Sequence, residues 1–259
     1  WLCALPLTHV GGLSIVLRSA IYATTAVLHE RFETERVLDA LMAPDGPTIV
    51  SLVPTTLQRL LDAGLRDPPS LRWALLGGAP STTALQGRAA AAGVRVAPTY
   101  GLTEACSQVT TLGAPLFCSR VRLAPDREIL VGGPTVAPSA GPTLATGDFG
   151  EWSSDGALRV IGRKADTIIS GGENVAPAEV EAVLEAHPDV FEAAVHGRAD
   201  PVWGEAVVAT VVADDDVEAD ELRAWCAARL ASYKVPKEIA FATALPRTGS
   251  GKLLRRDLR

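Results

Sequence analysis

Short apolar runs alternate with amphipathic segments of helical period through the first hundred residues, and that alternation leaves few folds open. Apolar strands are expected at Leu2–Leu5, Thr25–Leu28, Thr48–Leu52, Trp73–Leu76 and Val94–Ala97. Between them lie helical segments at Thr34–Met42, Pro54–Ala63 and Thr82–Ala92. In the first helix Val37, Leu38 and Leu41 share one face, and Pro44 closes it. Strand–helix units in this order pack around a largely parallel sheet.

The texture changes from about Arg127. Glu128–Val131, Gly150–Ser153 and Leu158–Ile161 read as short strands, and Ser154-Asp155-Gly156 is a hairpin signal. Pro177 suits the first position of a helix whose apolar stripe is Val180, Val183 and Leu184, with Pro188 ending the run. Strands at Glu192–His196, Ala206–Val212 and Glu238–Ala242 and a helix at Ala219–Leu230 complete a small α+β domain. The expected class is α/β: residues 1–162 as a large domain of βα units with a small β subdomain, then residues 163–259 as a small α+β domain. The boundary falls near Arg163–Asp166.

A hydrophobic share of 47% with scattered charge fits a globular, water-soluble chain. No apolar run approaches the roughly 18 residues of a spanning helix, and no basic segment precedes an apolar one as in a signal peptide. Net charge −6 without basic clusters argues against nucleic acid as a partner. Cys3, Cys106, Cys118 and Cys226 form no CxxC pair, which disfavours zinc and fits small apolar fillers in a reducing cytoplasm. The apolar start at Trp1, without an initiator methionine, reads as an internal start with residues expected before it.

Several short motifs carry chemistry. Tyr100-Gly101-Leu102-Thr103-Glu104 follows the strand Val94–Ala97, at the strand end where open α/β sheets hold ligands. A Tyr ring can stack on a purine, a Thr hydroxyl can bond phosphate, and a Glu can hold Mg²⁺ through oxygen. A half-buried tyrosine beside a surface glutamate is the plainer alternative. Gly77-Gly78-Ala79-Pro80 follows the strand Trp73–Leu76 and permits close approach of a flat ligand, or is simply a tight βα turn. His9, before Gly11-Gly12, is either a structural histidine or part of a site.

Thr146-Gly147-Asp148 offers a carboxylate to the hydroxyls of a ribose, and Arg163 a planar donor to the same sugar or a phosphate. Each is equally an ordinary turn. Ser170-Gly171-Gly172-Glu173-Asn174 reads as a flexible loop suited to a long thin ligand, or as the start of the next helix without a partner. Near the carboxyl end, Pro246-Arg247-Thr248-Gly249-Ser250-Gly251-Lys252 sets a lone lysine on a glycine-rich loop.

In this order the motifs resemble the acyl- and aryl-CoA synthetase, luciferase and peptide-synthetase adenylation superfamily, from Pro6 to Arg256. The string Tyr100–Gln108 and the run Ile168–Asn174 leading into Pro177-Ala178-Glu179 are similar to its o-succinylbenzoate–CoA ligase subgroup of menaquinone biosynthesis. The resemblance implies a two-step ligase: a carboxylic acid and ATP give acyl-AMP and pyrophosphate, and the acyl group then passes to coenzyme A. The favoured acid is o-succinylbenzoate. A fatty- or aryl-acid–CoA ligase, a unit loading a carrier-protein thiol, and a nucleotide-binding remnant without turnover are the other readings.

By the same resemblance Thr103 binds phosphate, Glu104 holds Mg²⁺, and Tyr100 with Gly78 flanks the adenine, next to Ala79 and Gly101. Asp148 and Arg163 take the ribose, His9 lines or gates the acyl pocket, and Gly172 borders the CoA path. Lys252 bridges the carboxylate and the α-phosphate. Two steps with one small mobile domain imply rotation about a hinge, which falls at Ala165, where family members carry Asp or Lys. A cytoplasmic location is implied, and a homo-oligomer stays open. The family's glycine- and Ser/Thr-rich phosphate loop is not in this chain, so these 259 residues alone are expected to be poorly active and sticky.

Overall fold

A computed structural model describes residues 1–248 and 253–258. The chain divides into two compact units, Trp1–Thr146 with Glu151–Arg159, and Gly147–Gly150 with Val160–Arg259.

The first unit opens with β1 (Leu2–Cys3), α1 (Val10–Ile21), β2 (Val27–Leu28), α2 (Thr34–Met42), β3 (Ile49–Leu52), α3 (Pro54–Asp62), β4 (Trp73–Leu76), α4 (Thr83–Ala91) and β5 (Val96–Leu102). Next come β6 (Ser107–Thr111) and β7 (Ala114–Pro115). These strands form one seven-stranded sheet in the order β2-β1-β3-β4-β5-β6-β7. It is parallel from β2 to β5 and antiparallel from β5 to β7.

Helix α2 turns Val37 and Leu41, one turn apart, fully into the core, and α3 does the same with Leu57 and Leu60. Pro54 starts α3 without losing a needed hydrogen bond, and the Val53 N–H donates to Thr56 Oγ1 at 3.0 Å. Thr82 caps α4 by accepting from the Leu85 N–H at 3.1 Å. Leu2, Val50, Leu52, Ala74 and Leu76 from the strands close the core beneath these helices.

Helix α1 is an element that the sequence reading did not contain. Its inward face is Gly12, Ile15 and Ser19 with Ser14 beside them, mostly small or polar, while Leu13, Leu17 and Ile21 stay exposed, so no apolar stripe marks the helix in the sequence.

A four-stranded sheet, order β11-β10-β9-β8, comprises β8 (Arg120–Leu123), β9 (Glu128–Gly132), β10 (Thr143–Trp152) and β11 (Leu158–Arg163). The turn at Ser153–Ala157, with Gly156 at φ +80°, joins β10 to β11 as the hairpin signal implied.

The second unit holds β12 (Ile168–Ser170), β13 (Glu173–Val175), α5 (Pro177–Leu184), β14 (Val190–Asp200), β15 (Gly204–Ala213), α6 (Ala219–Ala227) and β16 (Glu238–Phe241). Its sheet runs β13-β12-β15-β14, and β16 also pairs with β15. Val180 and Leu184 of α5 and Leu222 and Cys226 of α6 pack on Val195, Val207, Ala209 and Val211.

Cys3 and Cys226 are buried fillers, and burial pushes the Cys226 thiol up to about 11. Cys106 departs from that expectation: it is exposed, in a left-handed conformation at φ 54°. Among the described residues no helix is long and apolar enough to cross a membrane.

Candidate functional site

Because β1, β3, β4 and β5 are parallel, the chain leaves each at the same edge of the sheet. His9 follows β1 there, exposed, at the amino end of α1. Its carbonyl accepts from the Gly12 and Leu13 N–H groups at 3.1 and 3.0 Å. After β4 come Gly78 and Ala79, both exposed, with Gly78 at φ +83°. Strand register pairs Leu76 with Pro98, and a Cβ added at Gly77 would meet Thr99, so the chain leaves β4 beside the stretch of β5 that leads into Tyr100.

The strand before Tyr100 was expected to stop at Ala97. It continues to Leu102 because β6 returns antiparallel and pairs with Thr99–Leu102. Tyr100 packs on Ala105, Val109, Ile129 and Val131. A bulge follows it, and at Gly101 an added Cβ would overlap the Ser107 carbonyl, with Gln108 Cα only 2.8 Å away. Absence of a side chain is therefore a packing requirement at Gly101.

Thr103 and Glu104 stand exposed on the 3-10 turn Thr103–Ala105. The Cys106 N–H closes the turn on the Thr103 carbonyl at 3.1 Å, and the Glu104 carbonyl accepts from the Ala137 N–H at 2.7 Å. These backbone bonds hold the turn without using the Thr103 hydroxyl or the Glu104 carboxylate. No group of three or more His, Cys, Asp or Glu side chains able to hold a metal exists among the described residues. A lone exposed carboxylate at Glu104 fits Mg²⁺ carried by a nucleotide, since that ion commonly takes one or two protein carboxylates plus phosphate oxygens.

Two contacts behind this edge escaped the sequence reading. Ser14 Oγ lies 3.3 Å from Ser107 Oγ, and Arg18 Nη1 donates to Gln108 Oε1 at 3.0 Å. They tie the helix that follows His9 to the strand that follows Glu104. Ser107 and Gln108 belong to a string the sequence analysis singled out, but their partners sit on the unforeseen helix α1.

In the second unit Asp148 and Arg163 meet: Arg163 Nε is 3.0 Å from Asp148 Oδ1. The carboxylate is almost wholly out of water, where a charge needs a partner. Ala165 is exposed on the 3-10 turn Lys164–Asp166, and Lys164 Nζ lies 5.9 Å from the Phe149 ring centroid.

Gly172 is not on an open loop. Ser170 pairs with Glu173, so Gly171-Gly172 is a two-residue hairpin turn with φ +61° and +84°, the left-handed pair that a type I′ turn demands. The Gly171 N–H donates to the Trp203 carbonyl at 2.8 Å. Lys252, with Gly251, lies outside the described residues. The flanking residues are held: Arg247 and Leu253 form an antiparallel bridge, and Arg247 Nη2 donates to Glu192 at 2.8 Å.

Residues 1–144 match the AMP-binding enzyme family, and residues 179–252 match the AMP-binding enzyme C-terminal domain. The 2-succinylbenzoate–CoA ligase of Bacillus licheniformis is 43% identical over all of this chain and 61% of its own length. That of Listeria monocytogenes is 37% identical, again over 100% of this chain and 61% of its own. The solved o-succinylbenzoate CoA synthetase of Bacillus subtilis, in complex with the acyl-adenylate intermediate OSB-AMP, is similar at 40% identity and a TM-score of 0.88, covering 100% of this chain and 60% of that one. Amide bond synthetase McbA from Marinactinospora thermotolerans is 30% identical with a TM-score of 0.92, over 100% and 61%. The chain thus spans about 60% of the length of the relatives it matches. With the family match covering more than half of the chain, and the sheet whose edge gathers His9, Gly78 and Tyr100–Glu104 lying inside it, the chain belongs to the AMP-binding enzyme family.

Proposed function

We propose that the protein carrying this chain is an AMP-forming acid–CoA ligase that activates o-succinylbenzoate in menaquinone biosynthesis. One observation carries the reading: Gly78-Ala79 follow β4 and Thr103-Glu104 follow β5, the adjacent parallel strand, with an exposed hydroxyl and an exposed carboxylate after it. The choice of acid is supported by curated relatives at 37–43% identity that are named 2-succinylbenzoate–CoA ligases.

In the first step a carboxylate oxygen attacks the α-phosphorus of ATP, and the bond to pyrophosphate breaks. In the second the CoA sulfur attacks the acyl carbon, AMP leaves with the bonding electrons, and the thiol proton is lost to solvent. Tyr100 and Gly78 flank the adenine, next to Ala79 and Gly101. Thr103 donates to phosphate, and Asp148 accepts from the ribose hydroxyls while Arg163 holds its carboxylate in place. Glu104 takes the nucleotide's Mg²⁺, which neutralises phosphate charge when bound. His9 borders the acyl group and Gly172 the CoA path. Lys252 offsets charge that builds between the carboxylate and the α-phosphate in the first step. Residues 1–162 form the nucleotide-binding part and residues 163–259 the part that carries Lys252. The reaction belongs in the cytoplasm, where thiols such as the four free cysteines stay reduced.

The test supplies the whole-length protein with ATP, CoA and a panel of acids. Selective consumption of o-succinylbenzoate, with AMP and a CoA thioester formed together, is expected. Preference for long-chain acids, or an adenylate formed but never passed to CoA, rejects the reading.

A further inference from the structure

Just beyond Lys252, one side chain gathers four acceptor atoms. Arg255, on the turn Arg255–Leu258, donates through Nη2 to both oxygens of Glu181 at 2.8 Å, through Nη1 to Asp166 Oδ2 at 3.1 Å, and through Nε to the Val195 carbonyl at 3.3 Å. These partners come from three places in the second unit: the turn Lys164–Asp166 that also carries Ala165, helix α5, and strand β14. Glu181 is itself buried, and its Oε1 also accepts from the Val195 N–H at 2.8 Å. On the near side of residues 249–252, Arg247 reaches Glu192 and bridges Leu253, and the Leu254 N–H donates to the Pro246 carbonyl at 2.9 Å. Both flanks of residues 249–252 are thus held, the far one by the Leu253 bridge, the Leu254 N–H and the Arg255 guanidinium.

We infer that Arg255 is a positioning residue for the adenylation step: through Glu181 and Asp166 it fixes the chain that follows Lys252 to helix α5 and to the residue beside the hinge position. The inference rests on the ligase reading. A lysine ammonium sits on a long, freely rotating stem, so its reach is set by where its backbone is held. Four acceptor atoms around Arg255 fit the forked donors of guanidinium and not the single point of an ammonium. Ala165 brings no polar side chain to this end of the network, and Asp166 does.

Arg255→Ala and Arg255→Lys in the whole-length protein test this, the lysine keeping the charge that buried Glu181 needs. ATP–pyrophosphate exchange and thioester formation from supplied acyl-adenylate are measured separately, alongside unfolding. Exchange is expected to fall about 100-fold in both variants, as small displacements of catalytic groups do, with KM for ATP and the thioester step kept. A parallel fall of both half-reactions, full exchange activity in Arg255→Lys, or loss of folding in both variants overturns the inference. The wild-type protein is assayed first: exchange with none of the acids sinks the ligase reading itself, whereas a competent wild type with unaffected variants sinks only the role of Arg255.

Discussion

Asp148 and Arg163 form an ion pair at 3.0 Å in which the carboxylate is 5% exposed and the guanidinium 62% exposed. The asymmetry sets what each mutation does. Arg163→Ala takes one charged partner from the buried carboxylate, while water replaces much of an exposed guanidinium, so about 1 kcal/mol of stability is lost, at the low end for such groups. Asp148→Asn in the same chain recovers most of that loss. Denaturant unfolding of the single and double variants checks this, and simple additivity would contradict the pairing.

Thr103 and Glu104 are exposed, and the proposed reading gives them to the ligand and not to the fold. Thr103→Ala and Glu104→Gln are expected to shift stability by less than about 0.5 kcal/mol, as exposed positions do. Adenylation in the whole-length protein should fall about 100-fold, the scale of one lost electrostatic contact. Added Mg²⁺ should restore part of the Glu104→Gln loss and none of the Thr103→Ala loss, which ATP–pyrophosphate exchange at graded Mg²⁺ reads directly.

Two glycines at the same sheet edge should answer differently to alanine. At Gly101 the methyl group runs into the Ser107 backbone, so β5 and β6 must part, at about 2–3 kcal/mol. At Gly78 the nearest atom is Val53 Cγ1 at 3.2 Å and the cost is chiefly the φ of +83°, about 1–2 kcal/mol. Melting curves of Gly101→Ala and Gly78→Ala give the order, and a reversed order would refute the packing argument.

Burial pushes the Glu185 carboxyl up to about 7 from an ordinary 4.5, with Glu181 and Glu192 adding to the rise while the Ala193 N–H and Arg247 oppose it. The folded state therefore holds a proton that the unfolded state has released between pH 4.5 and 7. Stability attributable to this group is full below pH 4.5 and is lost as pH climbs to about 7, to a total of about 3 kcal/mol. Glu185→Gln keeps an acceptor for the Ala193 N–H and never ionises. It should raise the melting temperature at pH 8 and leave it unchanged at pH 4, and a gain of equal size at both would disprove the assignment.

Lys252→Ala should abolish adenylation yet spare thioester formation from supplied acyl-adenylate, a loss of about 2–4 kcal/mol confined to the first barrier. Separate assay of the two half-reactions decides it, and an equal fall in both would refute a role limited to the first step.

What the sequence reveals and what it hides follow from distance along the chain. Helix α2 and strand β4 match their expected bounds because Val37 and Leu41 sit one turn apart before Pro44, and because Trp73–Leu76 is an uninterrupted apolar run. Strands β6 and β12 are short, and their pairing is settled by partner strands more than by their own composition. The glycines at 171 and 172 were visible, but a turn and an open loop ask for the same residues. Motif residues at strand ends announce themselves. Arg18 with Gln108 and Arg255 with Glu181 do not, being 90 and 74 residues apart.

The four residues Gly147–Gly150 belong to the second unit although the chain on both sides of them, through Thr146 and from Glu151, belongs to the first. No single scission can therefore release both halves whole. Any cut between positions 150 and 163 puts Asp148 on one product and Arg163 on the other, so dissected pieces prepared for separate study would each carry one member of a severed couple.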